Sequence, residues 1–173
     1  MKNVVCDLCF HHCVLKEGQR GFCRARIVKH GKIICENYGK ITSLALDPIE
    51  KKPLRRFHPG SNILSIGSYG CNMRCPFCQN HEISMSETIP YHPISPATLV
   101  ELACAKRKDG NIGIAFTYNE PLISYEYVFD CAVAAKAKDL AVVIVSNGMI
   151  ETTKLLALLP YVDAMNIDLK GFQ

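Results

Sequence analysis

The 173-residue chain has no apolar run near the roughly 18 residues needed to cross a bilayer, so no membrane-spanning segment is expected. It has no large excess of one charge: 20 lysines and arginines against 16 acidic residues leave +4. A balance this mild gives no electrostatic footprint for nucleic acid or a membrane surface. Low-complexity segments and short-period repeats are absent, and 49% hydrophobic with 21% charged residues is the composition of a folded chain. Intrinsic disorder, which needs low hydrophobicity and high net charge, is excluded. The opening MKNVVCDLCFHHC meets Cys and His before an apolar stretch forms. A secretory signal is therefore not expected, and a cytoplasmic, reducing compartment is. At about 150 residues per domain, the length predicts one domain with a small appendage.

Cysteine is what the chain has in excess, with ten residues. Cys6, Cys9, Cys13 and Cys23 form one group and Cys71, Cys75 and Cys78 a second, while Cys35, Cys104 and Cys131 stand apart. The three isolated residues read as packing, since free cysteine is commonly buried. In a reducing compartment, grouped cysteines bind metal or do catalysis rather than form disulfides.

From residue 62 onward the pattern is strand, helix, strand, helix. The runs Asn62–Gly67, Asn111–Thr117, Leu140–Ser146 and, more weakly, Val162–Asp168 are short, apolar and bounded by turn signals. Such runs are what strands buried on both faces of a parallel sheet look like. Ser95-Pro96 is an N-cap with proline at the first helical position, and Gly110 after Lys106-Arg107-Lys108 marks that helix's end. A second helix is expected from near Pro121 through CAVAAKAK, and a third over Glu151–Leu159, stopped by Pro160. The fold class is thus α/β, a parallel βα array. Earlier, Arg24–Lys29 and Lys32–Glu36 flank His30-Gly31 as a β-hairpin. The expected division is a Cys-rich metal-binding lobe over 1–46, a basic proline-containing linker over 47–61 whose charges form a solvated face, and a core over 62–173.

The second cysteine group has the spacing C-x3-C-x2-C within Gly70–Cys78, just after the first apolar strand. Thiolates suit iron–sulfur clusters and zinc. His81 is the one neighbour that could close the set as zinc. On a four-iron cubane, three cysteines instead leave one iron open, and an open position distinguishes a reactive metal site from a sealed one.

With Phe77 just before the last cysteine, at the end of the first strand of a βα array, this segment resembles the radical S-adenosylmethionine (SAM) superfamily. The resemblance implies a partial TIM barrel and a [4Fe–4S] cluster on Cys71, Cys75 and Cys78. It implies SAM at the open iron, cleaved reductively to a 5′-deoxyadenosyl radical that takes hydrogen from a substrate. The protein positions and shields that chemistry. Phe77 is expected near the adenine, and no catalytic side chain is singled out beyond the cofactor and metal ligands.

The later strand ends extend the resemblance. Thr117-Tyr118-Asn119-Glu120-Pro121 falls where the superfamily holds the SAM amino group, with Tyr118-Asn119 replacing a Gly-Gly pair, so Glu120 is the matching residue. Its alternative role is to stabilise a helix N-terminus. Ser146-Asn147-Gly148 and Asp168-Leu169-Lys170 resemble segments of glycyl-radical activating enzymes, which implies Ser146, Asn147 and Lys170 around SAM, with Lys170 meeting its carboxylate. Val145 stands where those enzymes carry an aspartate, and His81 where an aromatic residue is expected after Cys78-Gln79-Asn80.

The first group, Cys6-x2-Cys9-x3-Cys13-x9-Cys23, offers four thiolates that close a zinc site or hold a second iron–sulfur cluster. That Cys-rich start, Ile49–Leu54 (IEKKPL) and the run into CPFCQN resemble the radical SAM component of the AmmeMemoRadiSam system, related to pyruvate formate-lyase activating enzyme. This implies an oxygen-sensitive enzyme, protein partners or a protein substrate, and an electron donor such as a flavodoxin or ferredoxin. The competing readings are a glycyl-radical activating enzyme and a non-enzymatic zinc or iron–sulfur module. The fourth strand has no helix after it, so a truncated or split enzyme is also expected.

Overall fold

Three of the apolar runs lie side by side as parallel strands in the computed structural model, which describes residues 3–86 and 88–171. The strands are β1 (Val4–Val5), β2 (Val14–Leu15), β3 (Arg26–Lys29), β4 (Lys32–Cys35), β5 (Lys40–Ile41), β6 (Ser43–Pro48), β7 (Asn62–Gly67), β8 (His92–Pro93), β9 (Asn111–Phe116), β10 (Ala141–Ser146) and β11 (Ala164–Ile167). The helices are α1 (His81–Met85), α2 (Pro96–Ala105), α3 (Tyr125–Lys136) and α4 (Thr152–Leu158). The main sheet has the order β11-β10-β9-β7-β6. β7, β9, β10 and β11 run parallel, as expected of a βα array.

Side chains alternate across this sheet, as the two-residue period of a strand requires. Leu64, Ile66, Ile114, Phe116, Val142 and Ile144 pack in one core with Leu99 and Ala103 of α2 and Val128 and Ala132 of α3. The alternate positions Ile63, Ala115 and Val143 bury the other face against Ile49, with Leu54 and Phe57 at the margin. Buried on both sides, β7, β9 and β10 need the continuous apolar character that marked them in the sequence. β11 is the edge strand and stays half-exposed.

The helix signals acted as their chemistry predicts. Ser95 Oγ accepts the Thr98 N–H at 3.1 Å, and α2 ends through a 3-10 turn at Gly110 with φ +80°. α3 follows a 3-10 turn over Pro121–Ser124 and stops at Lys136, slightly short of the expected end. α4 is shorter than expected, because Pro160 has no N–H to continue the helical ladder and sits in a 3-10 turn instead.

The stretch 47–61 is more than a spacer. It begins inside β6, which pairs antiparallel with β7 from Ser43 opposite Gly67 to Pro48 opposite Asn62. Its basic residues are not one solvated face either. Lys52 is only 3% exposed, with its Nζ 2.9 Å from Asp47 Oδ2. Asp47 is the partner that makes a buried lysine tolerable, and prolines together with basic residues concealed that pairing in the sequence.

The N-terminal segment forms two small antiparallel sheets, β1 with β2 and the expected hairpin β3 with β4. A forked pair between Arg26 and Glu126 ties that hairpin to α3. Among the described residues no helix is long and apolar enough to cross a membrane.

Candidate active site

The C-terminal ends of β7, β9, β10 and β11 open into one cavity of about 450 Å³. Parallel α/β sheets place function at this edge, because the loops there leave the strands without closing over them. The loop after β7 brings Cys71, Cys75, Phe77 and Cys78; β9 leads to Thr117–Glu120; β10 ends in Val145–Asn147; β11 leads to Asp168 and Lys170. All eight residues predicted for the cluster and SAM therefore lie on one wall system.

The cysteine loop is anchored by a glycine. Gly70 has φ +88°, and a Cβ there would lie 2.4 Å from the Cys23 carbonyl oxygen, so only glycine permits this approach to the N-terminal segment. Beyond it, the Cys78 N–H donates to the Cys75 carbonyl at 3.1 Å, and Cys71, Cys75 and Cys78 are all half-buried. Burial pushes the Cys71 thiol up to about 11, with the charges of Glu120, Cys75 and Cys78 adding to it. A cationic centre displaces such a proton, so metal affinity and thiol ionisation are linked.

The donor set fits an iron–sulfur cluster better than a single ion. Among the described residues, no three His, Cys, Asp or Glu side chains converge closely enough to share one metal. A cubane gives each thiolate its own iron, so convergence on one point is not required. His81 opens α1 and is not part of the cavity wall.

Glu120 is 3% exposed, and its carboxylate gathers two strand ends. Oε1 accepts from the Leu122 N–H at 3.0 Å and the Ser146 hydroxyl at 2.7 Å, while Oε2 accepts from the Asn147 N–H at 2.8 Å. Burial pushes its pKa up, and those donors together with Lys170 oppose that rise. A carboxylate has about four acceptor positions, so these three bonds leave room for one more donor. Ser146 is buried, and its hydroxyl also accepts from the Gly148 N–H. Asn147 Nδ2 donates to Asn72 Oδ1 at 2.8 Å, and its Oδ1 accepts from the Met149 N–H at 2.9 Å.

Lys170 Nζ lies 2.7 Å from Asp168 Oδ2. Burial lowers its pKa, but Asp168, with smaller help from Cys75 and Cys78, outweighs this and holds it above the ordinary lysine value. Phe77 is 66% exposed at the rim.

Three residues of this site carry no role in the sequence reading. Tyr118 has φ +72°, donates its hydroxyl to Asp47 Oδ2 at 2.8 Å, and lies with its ring 5.2 Å from Lys52 Nζ. The replacement of Gly-Gly by Tyr118-Asn119 was the available signal. Asn119 ties β9 to the cysteine loop, accepting from the Ser68 N–H at 3.1 Å and donating to the Gly70 carbonyl at 3.0 Å. Asn72, only 2% exposed, joins that loop to Asn147.

The first cysteine group is more deeply buried. Cys6 and Cys23 share an apolar cluster with Leu8, Ala25 and Ile123, and Cys13 packs against it. The Cys6 N–H donates to the Cys13 carbonyl at 2.9 Å. Burial pushes up the pKa of both Cys9 and Cys23, and neighbouring cysteines of the group add to it.

A parallel βα array with three thiols at one strand end, and polar residues at the next three, defines a class of cofactor-dependent radical enzymes. The chain belongs to the radical SAM superfamily, whose family model matches residues 65–173. Membership implies an enzyme family that uses a [4Fe–4S] cluster and SAM for radical chemistry. Two proteins of Methanocaldococcus jannaschii are similar to it. The uncharacterized protein MJ0808 is 45% identical over 171 residues, 98% of this chain and 50% of that protein. The uncharacterized protein MJ0674 is 33% identical over 128 residues, 69% of this chain and 32% of that protein. The chain therefore spans half or less of the length of these relatives.

Proposed function

We propose that the protein binds a [4Fe–4S] cluster through Cys71, Cys75 and Cys78 and cleaves SAM reductively, delivering a 5′-deoxyadenosyl radical to a substrate or protein partner. The observation that carries this reading is a set of three half-buried thiols, without a fourth, on a cavity whose other walls hold Glu120 and Lys170. When bound, the cluster supplies the electron. The chain's own residues do the rest. Lys170, kept protonated by Asp168, meets the methionyl carboxylate. The free acceptor position of Glu120 takes the amino group, Ser146 and Asn147 fix the loop beneath it, and Phe77 covers the adenine. A flavodoxin or ferredoxin is the fitting class of reductant.

The first group holds a thiolate centre; because no three of its side chains converge on one point among the described residues, an auxiliary iron–sulfur cluster with one iron per thiolate fits it better than zinc. Crowded, desolvated thiols cost most when ionised together, and a cation at their centre offsets that cost. The run Ile49–Leu54 beside the cavity supports placing the protein with the radical SAM component of the AmmeMemoRadiSam system. The test is anaerobic reconstitution with iron and sulfide, reduction, and addition of SAM. Equal amounts of 5′-deoxyadenosine and methionine are expected; bound zinc with intact SAM would mean a non-enzymatic metal-binding module.

A further inference from the structure

The loop that carries the second cysteine group is gripped from the N-terminal segment at two of the residues between Cys71 and Cys75. The Asn72 carbonyl is 2.8 Å from His11 Nε2, and His11 lies between Cys9 and Cys13 in the chain. The Asn72 side chain donates from Nδ2 to the Met149 carbonyl at 2.9 Å and accepts from Asn147 Nδ2 at 2.8 Å. Asn72 thus meets the first group's loop through its carbonyl and the Asn147–Met149 loop through its amide. Arg74 makes the second grip. It donates to the Cys71 carbonyl at 2.9 Å and to the Phe22 carbonyl, and its guanidinium lies 4.2 Å from the Phe22 ring centroid. Phe22 stacks in turn on His11, with centroids 4.1 Å apart. Beyond Met149 the contact continues, since the Glu151 N–H donates to the Leu8 carbonyl at 3.0 Å.

From this geometry we propose that Asn72 is a positioning residue. It couples the first cysteine group to the loop beneath SAM, so that the state of Cys6–Cys23 sets how tightly the cavity binds SAM. The inference deepens the function proposed above and rests on it for the identity of the ligand. Neither His11 nor Asn72 lines the cavity, so neither acts by touching SAM. Both act through Asn147, whose Nδ2 donates to Asn72 Oδ1 while its Oδ1 accepts from the Met149 N–H. Coupling is reciprocal: a centre that orders the His11 loop orders Asn147, and SAM on Asn147 orders that loop.

The test compares the full chain with His11→Ala and Asn72→Ala in two measurements, with the urea unfolding midpoint as the control for folding. Equilibrium dialysis of labelled SAM against the reconstituted proteins is expected to show about tenfold weaker binding in each variant, the low end of inter-site coupling. Iron content is expected to match the parent. Hydrogen exchange, run without cluster or SAM, is expected to be faster over residues 147–151, where the Met149 N–H rests on Asn147 Oδ1. Parent-like SAM affinity together with parent-like exchange in both variants overturns the coupling. A parent chain that takes up no cluster and binds no SAM overturns the functional reading instead, and the exchange comparison then still decides whether the coupling exists.

Discussion

The two cysteine groups sit in neighbouring loops of one molecule and differ in what surrounds them. Cys6, Cys9 and Cys23 are 6%, 8% and 6% exposed, and two of them belong to an apolar cluster. Cys71, Cys75 and Cys78 are all half-buried and border the cavity. None of the first group's four thiols lines the cavity, whereas all three of the second group's do. Ligand number and solvent access together separate a centre that holds structure from one that can exchange a ligand. The charged groups follow the same division. Glu120, Asp168 and Lys170 gather around the second group, whereas the first has His12 Nε2 3.2 Å from Glu151 and Lys154 3.4 Å from Asp7 at its outer surface.

The variant that breaks this comparison most completely is Cys75→Ala. In the reconstituted protein it should bring 5′-deoxyadenosine formation to background while the circular dichroism spectrum keeps its helix and strand content. The counterpart, Cys23→Ser, should act on stability instead. Binding energy of a metal centre absent from the unfolded chain is folding energy, so metal analysis should show the first centre lost and the unfolding midpoint should fall steeply. If the two variants give the same phenotype, the division of labour is wrong.

Asp47→Asn sharpens the comparison by loosening the open cavity from outside. It leaves the 3%-exposed Lys52 without its carboxylate, and breaking a buried pair costs about 3–5 kcal/mol. Denaturant unfolding measures this. Burial alone would raise the Asp47 pKa, but Lys52, Tyr118 and Lys51 hold it well below the usual carboxylate range. A depressed carboxylate contributes stability that is present above its unfolded pKa, about 3.9, and is lost as pH falls toward the folded value. The parent should therefore lose stability progressively below about pH 4, and the variant should show a shallower acid limb. The smallest effect is expected from Glu120→Gln, about 1–3 kcal/mol, because one oxygen still accepts from Ser146 while the new amide faces the Asn147 N–H as donor against donor. Its loss should appear in the unfolding midpoint and in weaker SAM binding.

Much of this was legible because the relevant signals are local. Asn62–Gly67 reads as a buried strand from six residues, and C-x3-C-x2-C carries its chemistry in its spacing. The cap Ser95-Pro96 and the terminator Gly110 likewise need no partner to be recognised. What stayed hidden depends on contacts between distant parts of the chain. β6 pairs with β7 across a proline-rich stretch that reads as a linker, and Lys52 is buried only because Asp47 lies beside it. The placing of Glu120, Ser146 and Asn147 at one cavity follows from the strand-end rule, but their bonding to one another does not. Asn72 shows the limit best. It lies inside the cysteine motif, yet its role needs His11, Asn147 and Met149 to be brought to it by the fold.

The open position at the second group is the central claim, and electron paramagnetic resonance of the reduced, reconstituted protein tests it most directly. Spectra are recorded with and without SAM, in the parent and in Cys75→Ala. The account predicts a [4Fe–4S]⁺ signal that SAM reshapes in the parent and that is missing from the variant. A parent signal unmoved by saturating SAM, or a SAM-responsive signal that survives in Cys75→Ala, would contradict it.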